Sequence, residues 1–308
     1  DDIHECRAYR RQAPVASGDR QARGLAFRRS YLVGLIYDNP NPQYVVNMQL
    51  GILDGLRGTG FELVVHPCDR SSDTFIEDAK KFIELQKLYG VVLTPSVSED
   101  ERLAEVLREI GCAYIRVASV ALDMERRMIV TNDRLGGRAA AQHLAELGHT
   151  RIALIAGRRS FRSARERRAG FEEGLDEHGI DLPPEYVLQG DYTFESGLAR
   201  GAELLDLEPQ PTAVFAANDE MAAGVLQALH VAGLVAPQAL SVVGFDDIEL
   251  AQVAYPPLTT MHVPHREMGR TAAQTLIRML QSGEAEKGVL LTTDLVTRKT
   301  LGDVPTDH

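Results

Sequence analysis

Asp246 closes the apolar run SVVGF, so a parallel strand would deliver its carboxylate to the strand's carboxyl edge, where open α/β sheets bind ligands. An ionised carboxylate only accepts, and it can take two adjacent hydroxyl donors, the pattern a sugar presents. Asn218 ends AVFAAN in the same way, and its amide can donate and accept at once. Asp38 follows the first apolar run of the chain. Arg116 is less usual, because a guanidinium inside the apolar run AYIRVAS must be paired or must face a cleft. Asp133 is an attractive partner for it. Residues 158–168 hold six Arg, which read as a solvated helix face or as attraction for an anionic ligand such as a sugar phosphate or uronate. Asp219 reads as the cap of the helix that follows it.

Other chemistries find no support in the spacing. There is no GxxxxGK[ST] loop, HExxH pair, GxSxG elbow or metal-ligand set, so neither an enzyme nor a metal or cofactor is expected. Cys6, Cys68 and Cys112 are odd in number and form no CxxC, which suits a reduced, cytoplasmic protein. No stretch in the first 30 residues resembles a signal-peptide core. No run approaches the ~18–20 apolar residues that cross a bilayer, and no membrane partner is expected. The net charge of −11 argues against a chain that coats nucleic acid over its whole surface. That charge is segregated: residues 1–30 carry seven Arg against four acids, and the remainder is strongly acidic.

The elements that must position these groups alternate regularly. YLVGLIY (31–37), FELVV (61–65), GVVLT (90–94), AYIRVAS (113–119) and MIVT (128–131) read as strands separated by amphipathic helices. Asn41-Pro42 caps the first of these helices, and Ser98 with Glu101 has capping-box spacing for another. A second series follows: RIALIAG (151–157), VLQGD (187–191), AVFAAN (213–218) and LSVVGFD (240–246), with helices at 133–147, 163–178, 194–207 and 219–232. LTTMHV (258–263), a helix at 265–281 and a Thr-rich strand LLTTDLVTRKT (290–300) complete it. Continuous apolar strands between helices predict parallel sheets covered on both faces. About nine βα units are too many for one open sheet, and the unequal end of the chain disfavours the rival (β/α)8 barrel. The expected fold is α/β, with two doubly wound parallel-sheet lobes joined by crossover strands and a ligand cleft between them.

VTNDRLGGRAAAQHLAELGHTRIALIAG (130–157), RRAGFEEGL (167–175), AVFAANDEMAAGVLQAL (213–229), LSVVGFDD (240–247) and AYPPLTT (254–260) occur in an order and spacing that resembles the LacI/GalR family. These are bacterial transcriptional regulators with a periplasmic-binding-protein-like effector domain, and the resemblance covers residues 20–302. It implies effector contacts at Arg167, Asn218 and Asp246, and an aromatic at Tyr192 that stacks on the ligand. It also implies that RQARGLAFRR (20–29) is a hinge helix for the DNA minor groove, with Leu25 as the wedge and Arg20, Arg23 and Arg28 flanking it. The family's helix-turn-helix is not recognisable in residues 1–19, so it was either truncated or lost.

The resemblance implies lobes of residues 31–148 plus 262–291 and 149–261 plus 292–302, a leader over 1–30 and a tail over 303–308. It implies a homodimer that senses a sugar-like small molecule, neutral or anionic, and acts on operator DNA. The ligand would bridge Asp38, Arg116 and Asp133 to Arg167, Tyr192, Asn218 and Asp246. A periplasmic-type sugar-binding protein on the same fold, or a regulator that only senses ligand, are the alternatives.

Overall fold

The computed structural model describes residues 30–282 and 288–304, and the hinge-like segment with Arg20, Arg23, Leu25 and Arg28 lies outside them. The first half runs β1 (Leu32–Tyr37), α1 (Pro42–Leu56), β2 (Glu62–Pro67), α2 (Phe75–Gln86), β3 (Gly90–Leu93), α3 (Glu101–Glu109), β4 (Ala113–Ala118) and β5 (Met128–Thr131). The second runs α4 (Asp133–Glu146), β6 (Ile152–Ala156), α5 (Arg162–Asp176), β7 (Val187–Gln189), α6 (Phe194–Leu205), β8 (Ala213–Ala216), α7 (Asp219–Val231), β9 (Ser241–Asp246), α8 (Glu249–Val253) and β10 (Thr259–His262). Helix α9 (His265–Ser282), β11 (Val289–Leu291) and β12 (Asp294–Val296) close the chain.

Two six-stranded sheets result, ordered β11-β5-β4-β3-β1-β2 and β12-β10-β9-β8-β6-β7. Every pairing is parallel except β12 against β10. Two separate sheets dispose of the barrel. Strands β3, β6, β8 and β9 are buried along their whole length, as expected where helices cover both faces. The chain passes between the sheets three times: after β5, after β10 and between β11 and β12. The Thr-rich end, read as one strand, is therefore two three-residue strands in different sheets.

Helix α4 was expected with the amino-terminal lobe, but it packs against α5 and touches β8 and β12 of the second sheet. A Cβ on Gly170 would meet the Arg134 carbonyl oxygen at 1.8 Å, and one on Gly137 would meet the Arg167 carbonyl oxygen at 2.1 Å. Glycine at both positions lets the two backbones touch, which couples the start of α4 to the start of α5. Helix α9 returns to the first lobe and packs on α1, β3 and β4.

The caps show how local sequence sets element ends. Asn41 caps α1, its side-chain oxygen accepting from the Gln43 and Tyr44 amides. Asp100, rather than a Ser98–Glu101 box, caps α3 by accepting from the Arg102 and Leu103 amides. The Ser98 hydroxyl is spent on the Val117 carbonyl instead.

Candidate functional site

Strands β6, β8 and β9 end at one side of their sheet, and α5 begins there. These elements bring Arg167, Asn218 and Asp246 together, facing residues of α1, β5 and the crossover into α9. Arg167 is the centre. Its Nε donates to Asp133 Oδ1 at 2.8 Å, one terminal nitrogen to Asp246 Oδ1 at 3.0 Å, and the other to the Ala217 carbonyl at 2.6 Å. The guanidinium lies 3.8 Å from the centroid of the Phe245 ring. The Asp133 carboxylate also accepts from the Thr131 hydroxyl.

Burial sets the electrostatics. It pushes the Asp246 carboxyl up to about 6, although Arg167 pulls it back. The imidazole of His265, 3.8 Å from Asp246, is driven down to about 3 by burial and by Arg167, and so is neutral. Burial with the neighbouring carboxylates pushes the Tyr44 phenol above its ordinary value. Two carboxylates thus share one buried arginine, and the site is acidic on balance.

The opposite wall carries atoms of another kind. Asn41 Nδ2, the Tyr44 hydroxyl and Ser119 Oγ are buried and have no hydrogen-bond partner among the described residues. All three line the cleft. A buried donor without an acceptor carries a desolvation penalty of ~1–3 kcal/mol, which a ligand or ordered water would relieve. Phe161 and Tyr192 supply an aromatic edge, their rings 5.6 Å apart. Tyr192 (φ 75°) and Asp246 (φ 112°) both hold left-handed backbone, a strained arrangement that concentrates at functional sites. Gly157 leaves room for the Tyr192 ring, since a Cβ there would sit 2.2 Å from Cζ. As the lobes stand, about 40 Å³ is open between these walls, space for a few waters rather than a sugar ring.

Arg167, Asp133, Tyr192, Asn218 and Asp246 line this one cleft, and Asp38 and Arg116 do not. Asp38 is occupied by Ser96, accepting from its amide and its hydroxyl. Arg116 points to the other face of β4, under α3, where it bonds the Ser98 carbonyl and Glu101 and lies 3.7 Å from Asp123. Asp133 is therefore the partner of Arg167, not of Arg116. The helix cap expected of Asp219 belongs to Asn218, which lines the cleft as well. Asn218 caps α7 through the Met221 amide while donating to the Tyr192 carbonyl. Asp219 is fully buried, accepting from the Ile248 amide and the Thr260 hydroxyl, and burial raises its carboxyl well above the usual range.

Of the six Arg in 158–168, only Arg167 reaches the cleft. Arg158, Arg159, Arg165 and Arg168 bond elsewhere, to the Asp191 carbonyl, Gln189, the Arg159 carbonyl and Glu172. Asn41, Tyr44, Ser119 and His265 were not expected at the site from the sequence, in which Asn41 is a helix cap. The signal that could have found Asn41 and Tyr44 is their place in the first turn after β1, at a strand's carboxyl end.

A periplasmic binding protein-like domain model matches residues 141–301. The ribose operon repressor of Escherichia coli K12 is 32% identical over 283 residues, covering 90% of this chain and 84% of the relative. The chain belongs to the LacI/GalR family of transcriptional regulators. The regulator CelR of Thermobifida fusca is 34% identical over 290 residues, covering 91% and 84%. Among solved structures, a CelR–cellobiose complex superposes with TM-score 0.79 at 30% identity, covering 94% of this chain and 92% of that one. The lac repressor dimer bound to operator and an anti-inducer gives 0.80 at 29% identity, covering 92% and 98%. No helix among the described residues is long and apolar enough to cross a membrane.

Proposed function

We propose that this chain is a cytoplasmic, non-enzymatic sensor that controls transcription from operator DNA, and that its effector is a neutral, compact polyol, most simply a sugar. The observation that carries the effector class is Arg167 held between Asp133 and Asp246, opposite the unpartnered Asn41, Tyr44 and Ser119 atoms. Carboxylates already oriented by an arginine accept from ligand hydroxyls, and the other wall supplies donors and acceptors to the same hydroxyls. An anionic ligand would meet two carboxylates in the cleft, and the arginine that lines it is already engaged. The sugars named in the titles of relatives, ribose and cellobiose, belong to this neutral class.

Calorimetry tests the reading directly. A panel of neutral sugars should yield a ligand that binds the chain, with Asp246→Ala weakening it by about a hundredfold or more. The corresponding sugar phosphates should bind worse. Tighter binding of a phosphorylated sugar, or an Asp246→Ala chain that binds normally, overturns the assignment.

Two exposed apolar patches suit a homodimer, as in the lac repressor dimer. Val46, Leu50 and Leu53 form one face of α1, and Val253 and Tyr255 stand out on the second lobe. Leu50→Glu should shift the chain toward monomer in sedimentation, while Leu85→Glu, at an exposed leucine on α2, should not.

A further inference from the structure

Helix α5 begins without a cap of its own. Phe161 occupies its N-cap position and has no side-chain acceptor. The acceptor comes from the other lobe. Glu99 ends the short turn Val97–Glu99 after β3, and both its carboxylate oxygens accept from the Arg162 amide, at 3.2 and 3.1 Å. Arg70, in the loop after β2, donates to the Ser96 carbonyl of its own lobe at 2.7 Å and to the Ser160 carbonyl of the second lobe at 3.1 Å. Its guanidinium lies 3.8 Å from Glu99, whose side chain is 8% exposed. Both contacts therefore span the cleft. One ends at Arg162, the first residue of α5, and the other at Ser160, two residues before it; five residues on from Arg162 the helix presents Arg167.

We propose that Glu99 and Arg70 form a latch between the lobes, positioning residues that hold the cleft shut through bonds the ligand does not make. The inference rests on the reading of this cleft as the effector site. An anionic acceptor suits the positive end of a helix dipole, so opening the lobes strips α5 of its cap as well as of a hydrogen bond. The latch thereby sets the fraction of ligand-free molecules that are already closed. A ligand that binds the closed form has an apparent affinity scaled by that fraction. Effector affinity is then tuned by residues outside the cleft lining.

Pulsed electron paramagnetic resonance on the ligand-free chain reads the latch without an effector. Nitroxides on cysteines replacing exposed Lys80 and Ala202, one on each lobe, report the separation, with Cys6, Cys68 and Cys112 replaced by Ser. Glu99→Ala should shift the distance distribution and broaden it, Arg70→Ala should do so less, and Glu99→Gln should be intermediate. Glu173→Ala, which breaks an ion pair within the second lobe, should leave it unchanged. Calorimetry with D-ribose and cellobiose adds the second reading: whichever binds should do so about three- to tenfold more weakly to Glu99→Ala. Unchanged distances in both Glu99→Ala and Arg70→Ala, with melting temperatures preserved, overturn the latch even if a sugar binds. Shifted distances with no sugar bound retain the latch and count against the effector reading.

Discussion

The two walls of the cleft are built on opposite principles. On the second lobe, the charged and amide groups are already engaged, Arg167 with two carboxylates and a carbonyl and Asn218 with an amide and a carbonyl, while the Tyr192 hydroxyl is left without a partner. On the first lobe, Asn41, Tyr44 and Ser119 present buried polar atoms that no described residue satisfies. One wall is preorganised and largely saturated, and the other is under-satisfied and waits for a third party. A ligand would be oriented by the first and would draw in the second, which is how a binding event becomes lobe motion. The difference matters energetically, since a saturated wall loses stability when mutated and an under-satisfied wall loses mainly affinity.

That contrast can be broken in three ways. The largest effect is expected for Arg167→Met, which leaves Asp133 and Asp246 buried without their cation. Removing one partner of such a pair destabilises by ~3–5 kcal/mol, measurable by urea denaturation at pH 7. A change below about 1 kcal/mol would show that the saturated wall is not a structural unit. The next effect concerns pH. With the Asp246 carboxyl near 6, about a tenth of it is ionised at pH 5, so a ligand that donates to the carboxylate should bind about tenfold more weakly there than at neutrality. The sign follows from the raised value, because the accepting form is lost as pH falls. Titration of the effector affinity between pH 5 and 8 checks it, and a flat profile would remove Asp246 from direct contact. The smallest effect belongs to the other wall. Tyr44→Phe deletes an unpartnered hydroxyl, so ligand-free stability should change by less than about 0.5 kcal/mol while affinity falls by about five- to tenfold. A Tyr44→Phe chain that is strongly destabilised would mean the two walls are alike.

Much of the fold was legible because doubly covered parallel strands read as unbroken apolar runs, and because Asn41, Gly58, Gly148 and Gly233 punctuate the helices. Asp246 and Asn218 stood out as polar residues ending such runs. Arg116 and Arg167 show the limit. Both are buried arginines held by carboxylates, but in a sheet covered on both faces only the strand ends reach the cleft, and the strand pattern does not show that Arg116, two residues short of the end of β4, stays beneath a helix. Arg116 went to α3, and Arg167, on a helix, went to the cleft. Asn41 and Tyr44 were hidden for a related reason. A cap residue and an aromatic on the buried face of a helix have structural duties that fully account for them, and only the three-dimensional arrangement reveals the unused amide nitrogen and hydroxyl.

The three passages of the chain between the sheets bear on how the protein is made. The first lobe needs α9 and β11, and the second needs β12, so neither is complete until residues 265–296 have been synthesised. A nascent chain leaving the ribosome can pair β1 to β5, yet it holds an α1 surface that α9 will cover only some two hundred residues later. The two lobes that part around a ligand are thus finished together, once residues 265–296 have emerged, and a chain cut short before residue 259 would leave both of them open to aggregation and proteolysis.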